Sequence, residues 1–84
     1  MITFENCLVD EQLQVHTDIN GLQELIDELQ ILLTSAKRSG DDHIHLFTED
    51  WGGSELDNEV QGVGNHLFHH VKIFCWHSPH GDRQ

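Results

Sequence analysis

Hydrophobic and polar positions alternate, lengthen their period and alternate again along the chain, and each change marks an element. Residues 2–9 and 13–17 read as two short strands joined by a polar turn around Asp10 and Glu11, with Leu13 and Val15 alternating against Gln12, Gln14 and His16. Leu22, Leu25, Ile26, Leu29, Leu32 and Leu33 then recur at spacings of three and four, which gives a helix one apolar side. Asp18 or Asn20 can cap its start. Lys37 and Arg38 fall where cations suit the carbonyl end of a helix, and Gly40 provides the stop. Alternation returns over 42–48, with Ile44 and Leu46 on one side and His43, His45 and Phe47 on the other. Residues 66–76, rich in β-branched and aromatic side chains, read as the longest strand, and 78–84 as a loose tail.

The order ββαββ predicts an α+β fold of two layers, one amphipathic helix packed on one antiparallel sheet, in a single domain over 1–84. Such a packing buries the helix stripe and one sheet face. Lysine is rarely buried without a partner, so Lys72 assigns the faces. Ile44, Leu46, Val71, Ile73 and Cys75 point inward; His43, His45, Phe47, Phe68, His70, Lys72, Phe74 and Trp76 form an open, aromatic face. An open face of that kind marks an interaction site, and self-association as a homodimer through it is expected.

Charge changes the picture of partners. Fifteen acidic residues against four Lys and Arg give a formal charge of −11, which disfavours nucleic acid and anionic membranes and favours a basic protein partner. Cys7 and Cys75 lie in separate strand-like segments without metal or redox spacing, and no leader or run of 18 apolar residues occurs, so a reduced, cytoplasmic protein is expected.

Eight histidines raise a histidine-dependent metal-binding protein or small metalloenzyme as the alternative function, since His43 and His45 share a strand face and His66, His69 and His70 lie on a neighbouring strand. His69 and His70 must point to opposite faces, however, so spacing yields no complete ligand set. His43, His45 and Glu49 match part of a cupin metal motif without its flanking glycines or second motif. His43-Ile44-His45-Leu46-Phe47 matches the start of a histidine-triad hydrolase motif with Phe47 in place of the third histidine and no catalytic serine pattern. Cys75 and His77 share a strand parity but have no third member or oxyanion hole. Catalytic residues, a metal site and a cofactor are therefore not expected, and eight imidazoles leave a pH-responsive binder as a further reading.

The polar connection over 49–64 is longer than most in a compact domain, which marks it as functional. It sets Trp51 among Glu49, Asp50, Glu55, Asp57 and Glu59, an aromatic anchor ringed by carboxylates that suits a basic partner. Gly52 and Gly53 supply a tight turn. The run His43-Ile44-His45-Leu46-Phe47-Thr48-Glu49-Asp50-Trp51-Gly52-Gly53-Ser54-Glu55-Leu56 resembles the bacterial immunity protein 32 family of polymorphic toxin systems. The helix before it and the strand-like 66–74 after it extend the resemblance over most of the chain. It implies a small α+β protein that binds a cognate toxin domain, often a nuclease, and blocks it without catalysis. The six residues named above are the binding candidates.

Overall fold

The computed structural model describes residues 1–77; the tail expected over 78–84 lies outside the described residues. The elements follow the expected ββαββ order with the last expected strand divided in two: β1 (Ile2–Cys7), β2 (Gln12–Thr17), α1 (Ile19–Ser39), β3 (Asp42–Phe47), β4 (His66–Leu67) and β5 (His70–Cys75). The fold is α+β with antiparallel pairing throughout the named strands. The strands divide into two sheets, of order β2-β1-β4 and β3-β5, rather than forming one.

The division comes from the last segment, which is not a single long strand. Leu67 pairs with Glu5 of β1, and the Phe68 N–H donates to the Phe4 carbonyl at 2.9 Å. One residue later the His69 carbonyl accepts from the Thr48 N–H, and β5 pairs with β3 in the register Phe47↔His70 to Asp42↔Cys75. The chain thus changes partner between Phe68 and His69. Phe68 leaves the open face on which alternation would have placed it.

β1 ends at Cys7, two residues earlier than expected. Leu8 and Val9 stand exposed in the turn because nothing packs over it. α1 starts where Asp18 accepts the Gly21 N–H at 2.7 Å and closes where the Gly40 N–H donates to Ala36 at 2.9 Å. Asp18, not Asn20, is the cap. Ser35 donates to the Asp42 carboxylate and ties the end of the helix to the start of β3. No described helix is long and apolar enough to cross a membrane.

Ile2, Phe4, Leu46 and Leu56 form the buried core, with Leu25, Ile44, Val71 and Ile73 half-buried around it. The helix contributes less than its pattern promised. Leu32 and Ala36 are buried, but Leu22, Ile26, Leu29 and Leu33 keep 40–50% of their surface exposed. The apolar arc is wider than the surface that covers it: α1 leans chiefly on β3 and only lightly on β1, β2 and β5. The faces of β3 and β5 follow the Lys72 assignment, with Leu46 buried and Ile44, Val71, Ile73 and Cys75 half-buried.

Candidate functional site

β1 is buried on both faces, and its second face is polar. Thr3 and Glu5 are fully buried opposite Ile2 and Phe4, beneath the segment that returns before β4. The Glu5 carboxylate accepts from Thr3 Oγ1 at 2.5 Å, the Gln61 N–H at 2.9 Å, the Gly62 N–H at 3.0 Å and Asn65 Nδ2 at 2.9 Å. Asn65 Nδ2 also donates to Gln14 Oε1, while His16 Nε2 lies 3.7 Å from Glu5. Burial alone raises the Glu5 pKa, but the hydrogen bonds from Thr3, Gln61, Asn65 and Gly62 outweigh it and bring it down to about 2. One buried charge therefore holds the far end of the connection against the sheet.

Thr48 holds the near end. It is fully buried, its N–H donates to the His69 carbonyl at 2.9 Å, and Oγ1 lies 2.7 Å from His69 Nδ1. Its own carbonyl accepts the N–H groups of Trp51 and Gly53, at 2.9 and 3.0 Å, and closes a single 3₁₀ turn over Glu49–Trp51. Gly52 ends that turn at φ +86°, in the left-handed region. Gly53 lies so close to β3 that a Cβ would overlap the Phe47 carbonyl and side chain. Leu56 then enters the core, with its N–H donating to the Phe47 carbonyl at 3.1 Å.

These constraints present Trp51 outward. Its ring lies flat on His69, centroids 5.4 Å apart and planes 4° from parallel, and 60% of the residue remains exposed. Glu49 and Asp50 stand exposed beside it, and the Asp50 N–H is held by Asn58 Oδ1 at 3.0 Å. The six expected site residues do not form one patch. Asp57 is committed to structure: its carboxylate accepts the Ile2 N–H at 2.8 Å, while its own N–H donates to the Ile2 carbonyl. Glu49, Asp57 and Glu59 line a shallow recess of about 220 Å³. Glu55 turns the other way, accepts the Ser54 N–H at 2.8 Å and joins Glu24 and Glu28 of the helix around a recess of about 260 Å³.

The open face of β3 and β5 is a ladder of stacked rings. Phe47 stacks on His70 at 4.3 Å, His45 on His70 at 5.0 Å and Phe74 on Trp76 at 5.3 Å, while the Lys72 ammonium lies 4.7 Å above the Phe74 ring. His45 Nδ1 and His70 Nε2 are 2.7 Å apart, with His43 edge-on to His45. Desolvation first, and then His43, Lys72 and His70, hold the His45 pKa below its ordinary value. His69 serves Thr48 and Trp51 on the other side, and His66 pairs with Asn6 in β4. Among the described residues no three His, Cys, Asp or Glu side chains are grouped to hold a metal ion. The His77 N–H donates to Asp41, and both cysteines are free thiols.

Sequence reasoning found Trp51 and its turn but missed Glu5 and Thr48, which order the site from below. Their signal was weak: Thr3 and Glu5 alternate with Ile2 and Phe4 as a solvent-facing strand side would. Compared with known proteins, the chain matches no family model, no curated protein and no solved structure.

Proposed function

We propose that this protein is a non-catalytic cytoplasmic binder that engages a basic protein partner through Trp51 and the carboxylates beside it, acting as an immunity protein that blocks a cognate toxin domain. The observation that carries this reading is the presentation of Trp51, exposed yet fixed by His69 and by a turn whose backbone groups are tied to Thr48 and Glu49. An aromatic anchor ordered before binding loses little conformational freedom on association, the usual condition for a hot spot. Glu49 and Asp50 supply charge at the anchor, Glu59 beyond Asp57, and Glu55 with Glu24 and Glu28 extends the negative surface along the helix. The formal charge of −11 would speed encounter with a basic cleft. The resemblance of residues 43–56 to immunity protein 32 sequences points to the same class of partner.

The test is co-expression with the product of the neighbouring gene, counting surviving cells. Wild-type protein is expected to restore growth. Trp51→Ala should weaken the complex by roughly 30-fold or more, as loss of a hot spot does, and Glu49→Lys with Asp50→Lys should slow association and flatten its salt dependence. Absence of rescue by the wild type, or full protection by all three substitutions in a folded protein, would overturn the reading.

A further inference from the structure

The flank formed by β5, the first sheet and the helix stripe is built differently from the Trp51 turn, and it is unfinished. Val71, Ile73 and Phe74 of β5, together with Phe4, Leu13 and Phe68, line a groove of about 420 Å³. Consecutive residues His70 to Phe74 all border it, as they do only where a strand offers its edge. Among the described residues β5 pairs with β3 alone, so its second edge carries no partner strand. Val15 and Leu13 share the core face of the first sheet with Phe4, their register opposing Phe4 and Asn6, yet remain 46% and 65% exposed. Leu33 stands beside Cys75 and Trp76, which places the exposed stripe Leu22, Ile26, Leu29 and Leu33 on this same flank.

We infer that this flank is the interface for a second copy of the chain, which adds its own β5 edge antiparallel to the first and closes both helix stripes. Three observations select that occupant. The groove contains no carboxylate; His70 and Lys72 are its only titratable side chains, so a basic partner drawn by the acidic surface finds no counter-charge there. Helical spacing sets Gln23, Gln30 and Lys37 beside the stripe and turns Glu24, Asp27 and Glu28 away from it. Two chains of charge −11 can therefore meet on a side where carboxylates are sparse. The exposed apolar surface of the stripe, Leu13, Val15, Phe68 and Phe74 is on the order of 700 Å², near the ~800 Å² that each partner gives to a standard interface.

Strand edge and stripe also meet the geometric condition for a twofold dimer, because each is self-complementary when reversed. An uncovered edge bordered by Val71, Ile73 and Phe74 is open to further pairing, a liability that edge strands usually blunt with charge, proline or a bulge, and β5 has only Lys72 to do so. Self-association through this edge differs from association through the ring ladder: His70, Lys72 and Phe74 border both, whereas His43, His45 and Phe47 stand on β3 and belong to the ladder alone. It also leaves Trp51 uncovered and does not depend on the proposed toxin partner.

The test is the solution mass by light scattering from about 1 to 100 μM protein, with amide exchange of β5 followed over the same range. Wild-type protein is expected at twice the chain mass, with β5 exchange slowing as concentration rises. Val15→Lys and Ile26→Lys, both at exposed positions outside the core, should each return the monomer mass with unchanged circular dichroism. His43→Glu, on the ring ladder, should remain dimeric. A monomeric wild type at 100 μM, a dimer that survives both lysine substitutions, or a dimer broken by His43→Glu alone would overturn the proposal.

Discussion

The connection after β3 and the flank between α1 and β5 reach order by different means. The connection contributes one large side chain, Leu56, to the core, yet its backbone is held at both ends by buried polar groups, Thr48 and Glu5. The flank is rich in apolar side chains and has little to hold them, for Leu22, Ile26, Leu29 and Leu33 keep 40–50% of their surface exposed. Chain order follows the satisfaction of backbone donors and acceptors, while exposed apolar area records where another surface can still be added. The rigid region is suited to present an anchor, and the apolar region to be completed.

The widest test of this contrast is Glu5→Ala. Its removal strands the N–H groups of Gln61 and Gly62 and the Asn65 amide, and should cost about 3 kcal/mol in urea unfolding, because hydrogen bonds to a buried charge are lost together. The same carboxylate sets an acid limit. Its folded pKa of about 2 lies below the unfolded value near 4.5, so its contribution is complete above pH 4.5 and drains away as pH falls toward 2. Wild-type stability should fall through that window, and the alanine variant should lose less. Gly53→Ala comes next: a methyl group against Phe47 should cost roughly 2 kcal/mol as overpacking and disturb Trp51 fluorescence, because the turn must shift. Ile26→Gln should change the stability of dilute protein by no more than about 0.5 kcal/mol. A loss of 2 kcal/mol or more there would show that the flank is already covered within one chain.

Local periodicity carried much of the fold. The element order, both helix ends and the two faces of β3 and β5 were legible because each depends on neighbours a few residues away, with Lys72 fixing the inside from the outside. The change of strand partner at Phe68 and His69 was not read, although a trace exists: Leu67 and Phe68 are adjacent apolar residues and His69 and His70 adjacent polar ones, which breaks a two-residue period. The helix stripe was legible, but how much of it is covered depends on where β5 runs, a long-range fact. Within the candidate site Trp51 and the glycine turn stood out by composition. That Asp57 serves the Ile2 backbone, whereas Glu49 and Asp50 are exposed beside the tryptophan, could not be read from a run of similar carboxylates.

The cradle around Glu5 also sets an order of events in folding. β1 and β2 form a hairpin with a short turn, so their pairing can begin as soon as residue 17 is available. Apart from Thr3, the donors that satisfy Glu5 lie 56 to 60 residues further along the chain. Closing so long a loop carries an entropy cost that local pairing does not. The early hairpin must therefore keep Glu5 hydrated until residues 61–65 arrive, and the far end of the connection is fixed only then.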